Sequence, residues 1–230
     1  MVFQFARDVF YRSDIYNRML RSAPGARETA QALIRDWLRH HDRWDAVTWA
    51  PDVAGARVLA WLNYIDFVTD GADSGLRAEM AAAAAAQLRH LAGTNRSANE
   101  NGGFGESPLT AGAALVAGAV AVPDLAALLD TGLDRLRGAV ARDILADGGH
   151  RSRAPETALR ALARLVAAAR ALRAGRRPVP DFLSDALARL GPAVKATVLG
   201  DGALAAFNGG SNASAPTVTA VLNAAGMRGA

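Results

Sequence analysis

A short stretch with two glycines, a histidine and two arginines is the part of this sequence best suited to chemistry. Residues 147–155 read Asp-Gly-Gly-His-Arg-Ser-Arg-Ala-Pro. Glycine permits a tight turn or a close approach of the backbone to a ligand, and Pro155 suits the first turn of a helix. Arg151 and Arg153 could hold a carboxylate through paired hydrogen bonds, and His150 titrates near neutral pH. The stretch therefore predicts an anion-binding or acid–base cluster; the alternative is a helix cap followed by a solvent-exposed linker.

Residues 93–108 form the longest break in the sequence and are rich in glycine and polar side chains. Loops of this length inside a compact domain are often functional. Several side chains of the break could donate hydrogen bonds to sugar hydroxyls or to a carboxylate: Asn95, Arg96, Asn99, Glu100 and Asn101. A flexible connection between helices would have the same composition, so both interpretations stay open.

The third candidate group consists of Trp44, Trp49, Trp61 and Arg57. Aromatic faces bind sugar rings well. Tryptophans at helical spacing are also typical of a hydrophobic core, and the sequence alone favours that second interpretation.

Composition and motifs exclude several classes of site. The chain has no cysteine, and its four histidines occur in no metal-binding spacing, so neither thiol chemistry nor a metal site is predicted. No phosphate-binding loop or nucleophile-elbow motif is present, and no cofactor is predicted. The net charge of +4 comes from arginines that alternate with acidic residues, which does not indicate a nucleic-acid partner.

Helical periodicity and frequent alanine predict an all-α fold. The predicted helices cover about residues 3–20, 26–40, 51–69, 75–91, 109–121, 124–145, 155–174 and 180–198. Successive helical hairpins of this length indicate an α/α toroid or a helical solenoid. Residues 200–210 predict a short β-hairpin or an extended lip, and residues 215–230 a short helix or a frayed end. The most apolar stretch, about residues 109–122, is too short to span a membrane, and the start of the chain is unlike a signal peptide.

Three separated stretches resemble heparinase II/III-like proteins, in the order expected for that family. The first is a tryptophan-rich stretch with Trp44, Trp49, Pro51, Arg57 and Trp61, and the second is the stretch 147–156. The third is the stretch 200–209, which has a second Asp-Gly pair and contains Phe207 and Asn208. Together they cover about residues 40–212. The resemblance implies an incomplete α/α toroid over residues 1–212, followed by a C-terminal tail at 213–230.

The resemblance also implies a polysaccharide lyase, which cleaves a uronic-acid-containing acidic polysaccharide by β-elimination. Such a reaction requires neutralisation of the sugar carboxylate, a base and an acid. In this chain Arg151, Arg153 or an asparagine of the 95–101 loop would neutralise the carboxylate, and His150 would act as base or acid. The implied substrate-binding residues are Asn95, Arg96, Asn99, Asn101, Trp49, Arg57 and Asp147.

The sequence also departs from the family pattern. An Asn-Arg-Ser sequence replaces the family's Asn-His pair, no tyrosine follows Tyr64, and the family's C-terminal β-sandwich domain does not follow the helices. We therefore expect a lyase domain that is incomplete without a β-sandwich, whether separate or missing. The alternative is a non-catalytic helical module that binds an acidic glycan or a protein. The compartment is not determined: the start of the chain favours the cytoplasm, and the family allows the periplasm.

Overall fold

A computed structural model describes residues 25–41, 43–72, 74–94, 107–211 and 213–227. Within these residues the chain forms α-helices and one short 3-10 helix, with isolated β-bridges but no β-strand. The helices are α1 Ala26–His40, α2 Pro51–Thr69, α3 Ser74–Gly93, α4 Ser107–Ala121, α5 Leu129–Asp143, α6 Pro155–Ala174, α7 Asp181–Lys195 and α8 Ala215–Ala224, and the 3-10 helix is Pro123–Leu128. The all-α class predicted from the sequence is confirmed.

Helix α4 lies at the centre of the larger hydrophobic core. It packs against α2, α5 and α6, and all its residues from Leu109 to Ala119 are buried. Its glycines permit close contact with neighbouring helices: a Cβ atom added at Gly112 would lie 2.9 Å from the side chain of Leu136. Small residues thus allow this helix to be surrounded on all sides.

A smaller core joins α1, α2 and α3. It contains Ile34 and Trp37 of α1, Trp61 of α2, and Leu76 and Met80 of α3. The rings of Trp37 and Trp61 meet edge to face with their centroids 5.1 Å apart, an arrangement that aromatic pairs prefer. Aliphatic and aromatic side chains together therefore hold α1, α2 and α3 in contact.

An arginine of α5 caps the C-terminus of α3. Arg135 donates hydrogen bonds to the backbone carbonyls of Leu91, Ala92 and Thr94 at 2.6 to 2.9 Å. The last carbonyls of a helix have no partner within the helix, and a cation also complements the negative end of the helix dipole. This contact fixes the point where the chain leaves α3.

Two details of the predicted secondary structure differ from the observed fold. The helix predicted over 124–145 is divided into the 3-10 helix and α5. The β-hairpin predicted at 200–210 is wrong: Val198 and Leu204 form a single antiparallel bridge, and the chain turns again at Asn208 and Gly209, which both have positive φ. The helix predicted at 3–20 lies outside the described residues, and the domain boundary at 212 stays a prediction.

The described helices include none with the length and apolar character required to cross a lipid bilayer.

Candidate functional site around two Asp-Gly turns

The glycine-rich stretch forms a tight turn between α5 and α6. Ile144 and His150 form an antiparallel bridge, and inside it the Leu145 N–H donates to the Gly149 carbonyl at 2.9 Å. Gly148 has a φ of 80°, a conformation that favours glycine. A Cβ atom at Gly148 would also lie 2.8 Å from the backbone carbonyl carbon of Arg189 in α7. Glycine is therefore required here both by conformation and by space.

The same turn occurs a second time between α7 and α8. Residues 144–150 read ILADGGH and residues 198–204 read VLGDGAL. In the second turn the Leu199 N–H donates to the Ala203 carbonyl at 2.8 Å, Gly202 has a φ of 79°, and Asp201 accepts from the Ala203 N–H at 2.9 Å. The two turns are thus a structural repeat, in which Leu204 occupies the position of His150.

His150 points into the protein, where it is only 5% exposed. Its Nδ1 accepts a hydrogen bond from the Ser152 backbone N–H at 3.1 Å and lies 2.9 Å from the Ser152 hydroxyl. Burial lowers the pKa of His150, and Asp143 opposes this effect. The imidazole is therefore neutral at neutral pH, and its Nδ1 lone pair already holds the loop that follows the turn.

Both arginines after His150 face carboxylates of the chain itself. Arg153 Nη1 lies 2.6 Å from Asp147 Oδ2, and Arg151 Nη1 lies 3.6 Å from Asp143 Oδ1. The hydrogen bond from Arg153, followed by one from the Gly149 N–H, lowers the pKa of Asp147. His150, Arg151, Arg153 and Asp147 thus lie in one turn, but the imidazole points into the protein, and the two guanidinium groups, each about half exposed, face different carboxylates.

The two turns are also linked to each other. Asn208 Nδ2 donates to the Arg153 carbonyl at 3.0 Å. Glu156 Oε2 accepts from the backbone N–H and hydroxyl of Ser211 at 2.6 and 2.7 Å, and Glu156 Oε1 accepts from Arg160 at 2.7 Å. No role for Glu156 or Ser211 follows from the sequence; the repeated Asp-Gly pair only marks the two stretches that these residues connect.

Trp49 and Arg57, the other predicted binding residues, belong to the interior. Arg57 donates from Nε to Gln87 Oε1 at 2.7 Å and from Nη2 to the Thr48 carbonyl at 2.9 Å, and its guanidinium carbon lies 4.2 Å from the ring centroid of Trp37. Burial lowers the pKa of Arg57 to about 10, and Asp45 opposes this, so the group remains charged at neutral pH. Both residues are buried, as is Trp61, which agrees with the core interpretation; for Trp44, which is 66% exposed, that interpretation is wrong.

The remaining predicted binding residues, Asn95, Arg96, Asn99 and Asn101, lie outside the described residues. An open surface groove of about 630 Å³ lies between α1 and α3 and is lined by residues of those helices rather than by the Asp-Gly turns. Among the described residues, no group of three histidine or acidic side chains is placed to hold a metal ion.

Comparison with known proteins gives one relative in sequence and one in structure. No protein-family model matches the chain. The chain is 31% identical over 214 residues to FtsZ-localized protein C of Caulobacter vibrioides, an alignment that covers 92% of this chain and 36% of that protein. The chain thus spans about a third of that relative's length.

The fold of this chain is similar to the crystal structure of heparinase III, with a TM-score of 0.63 and 14% identity over 83% of this chain and 32% of that one. The chain therefore has a helical fold distantly similar to that of heparinase III.

Proposed function

We propose that this chain is a non-catalytic helical module that binds FtsZ. The observation that carries the proposal is the 31% identity to FtsZ-localized protein C over 92% of the chain. That relative is named for its place beside FtsZ, and an alignment of this extent includes nearly all the elements described above.

The geometry of the Asp-Gly turns supports a role other than catalysis. A general base needs a free lone pair within reach of the proton it removes. The Nδ1 lone pair of His150 is occupied by the Ser152 N–H, and the ring is buried. Arg151 and Arg153 each face an internal carboxylate. These contacts stabilise the connection between α5 and α6, so a structural role accounts for all three side chains without a substrate.

Co-sedimentation with purified FtsZ polymers tests the proposal. We expect the chain to pellet with polymerised FtsZ and to remain in the supernatant when nucleotide is omitted and FtsZ stays unassembled. A chain that stays in the supernatant at every FtsZ concentration would refute the partner that we propose.

β-Elimination of an acidic polysaccharide is the second candidate function. It is favoured by the half-exposed guanidinium groups of Arg151 and Arg153, which could exchange their internal carboxylates for those of uronic acids. Incubation with heparan sulfate, alginate and related polymers should then release unsaturated products that absorb ultraviolet light. The ultraviolet signal should disappear in His150→Leu, because leucine occupies the same position of the second turn, at Leu204. Absence of product from the unmodified chain, even with a β-sandwich domain supplied, would reject the lyase function.

A further inference from the structure

The end of α6 and the turn that follows it carry four arginines and no acidic residue. They are Arg170, Arg173, Arg176 and Arg177, and all four side chains are exposed. Residues 170–177 are thus an exception to the alternation of arginines with acidic residues. They contribute as many positive charges as the net charge of the whole chain, which is +4.

Within the part of the chain that the structure describes, none of these four guanidinium groups has a carboxylate partner. Exposed arginines elsewhere, such as Arg77 and Arg137, form ion pairs with aspartates. The elements beside the turn do carry exposed aspartates, namely Asp124 in the 3-10 helix and Asp181 and Asp185 in α7. None of these three pairs with the arginines, which also outnumber them, so this end of the molecule keeps a positive excess.

The turn after α6 is a Schellman motif with an arginine where glycine is usual. The Arg177 N–H donates to the Leu172 carbonyl at 2.8 Å, and the Arg176 N–H donates to the Arg173 carbonyl at 3.0 Å. Arg176 has a φ of 53°, in the left-handed region where helix ends favour glycine and a side chain incurs a steric cost. The dipole of α6 accounts for one cation in its last turn, Arg173, but not for the arginines beyond its end. Strain of this kind is typical of functional positions.

The backbone holds these arginines in a fixed arrangement. Besides the two hydrogen bonds of the turn, Pro178 and Pro180 restrict the chain before α7. Arg170 and Arg173 are three residues apart and so are neighbours on the surface of α6, about 4.5 Å apart along its axis. A support of this kind reduces the entropy lost when a partner binds.

The surroundings of the four arginines favour a polypeptide as the partner. The large apolar side chains that are exposed in the described residues belong to other loops: Trp44, Val47, Leu199 and Phe207. The arginines therefore have beside them neither an aromatic ring on which nucleotides could stack nor a large apolar group to enter a lipid bilayer. Guanidinium groups bind carboxylates through paired hydrogen bonds. Alternate side chains of an extended segment point the same way about 6.6–6.8 Å apart, so several carboxylates of one segment can reach this group.

We propose that Arg170, Arg173, Arg176 and Arg177 form a docking surface, the arginine surface, for an extended acidic segment of a partner protein. This inference rests on the proposed binding function, and it specifies the surface and the chemistry of the partner segment.

Fluorescence anisotropy with a fluorescein-labelled oligoglutamate peptide tests the arginine surface directly. Replacement of both Arg173 and Arg177 by glutamine should weaken binding at least about fivefold, since each exposed charge pair contributes modestly, and added salt should weaken binding to the unmodified chain. Replacement of both Arg43 and Arg89 by glutamine is the matched control. These two arginines are also exposed and their loss changes the net charge equally, so the affinity should change by about twofold or less.

Arg176→Gly separates a binding role from a structural one. Glycine relieves the strain at the positive φ, so the urea midpoint of this variant should be unchanged or raised. Its affinity for the oligoglutamate peptide should nevertheless fall about threefold. A lowered urea midpoint together with unchanged affinity would show that Arg176 serves the fold and would overturn its place in the arginine surface.

Several other results would overturn the arginine surface. They are the absence of peptide binding at low ionic strength, an equal loss of affinity in the two double variants, or arginine-dependent binding only to phosphatidylserine vesicles or to a single-stranded oligonucleotide. Failure of the chain to co-sediment with FtsZ, while the peptide binds through these arginines, would refute the proposed function and leave the surface standing. Co-sedimentation with FtsZ that is unchanged in the variant lacking Arg173 and Arg177, with no arginine-dependent peptide binding, would refute the surface alone.

Discussion

Substitution of alanine for Gly148 should destabilise the protein more than the same substitution at comparable glycines. Gly148, Gly202 and Gly209 have φ angles of 80°, 79° and 80°, so alanine incurs a similar backbone cost at each, about 1–2 kcal/mol. The loss of glycine's freedom in the unfolded chain is also the same in all three. Any difference between the variants therefore reports on the space around each site.

That space differs among the three positions. A Cβ atom at Gly209 would meet nothing within 4 Å, and at Gly202 it would lie 3.1 Å from the Ala215 Cβ. At Gly148 it would lie 2.8 Å from the backbone carbonyl carbon of Arg189 and closer still to the carbonyl oxygen. Forcing backbone apart adds about 1–3 kcal/mol. We expect Gly148→Ala to lower the free energy of unfolding by about 2–5 kcal/mol.

Urea unfolding followed by far-ultraviolet circular dichroism measures these differences. The order of destabilisation should be Gly148→Ala, then Gly202→Ala, then Gly209→Ala, with unchanged dependence on urea concentration. If Gly148→Ala costs no more than Gly209→Ala, the first Asp-Gly turn does not pack against α7 as described, and the argument for a required glycine fails.

Two further predictions concern buried cations and bases. Burial lowers the pKa of His150 in the folded state, so as the pH falls below about 6.5 the unfolded state binds a proton first. The free energy of unfolding should therefore decrease by up to about 1.4 kcal/mol per pH unit. His150→Leu should lack this part of the acid sensitivity in urea titrations at several pH values, and an equal pH dependence in both proteins would contradict the assignment. Arg57→Ala removes two buried hydrogen bonds and a contact with Trp37, so it should lower the urea midpoint by the equivalent of about 2–4 kcal/mol. Arg137→Ala is the control, because it removes a similar contact with the Phe182 ring from a largely exposed arginine. It should lower the free energy of unfolding by about 1 kcal/mol or less. Equal losses of stability in the two variants would argue against a buried role for Arg57.

Sequence patterns predicted the helices best where local signals mark both ends. The observed α2 and α6 have the predicted bounds, because each begins at a proline and is followed by a glycine. Helix α1 also has the predicted bounds, with Gly25 marking its start. The division of 124–145 was missed, since a 3-10 turn has nearly the same composition as the first turn of an α-helix. The β-hairpin was predicted from turn residues alone, whereas a hairpin also needs a second and third pair of extended residues.

Contacts between residues distant in sequence do not follow from local patterns. Arg57 was assigned either to sugar binding or to the core, and the choice depends on Gln87, which lies 30 residues away. The grouping of His150, Arg151 and Arg153 was predicted because these residues are neighbours in the chain. Their pairing with Asp143 and Asp147 was not, because it depends on the path of the turn.

The complete burial of α4 has a consequence for measuring the stability of this protein. Residues from Leu109 to Ala119 are enclosed by the helices packed around them, so their amide hydrogens can reach water only when that enclosure comes apart. Amide exchange with deuterium should therefore be slowest in this helix and should follow global unfolding, while exposed loops exchange by local opening. The central helix thus provides an internal probe that separates variants that loosen one turn from variants that weaken the whole molecule.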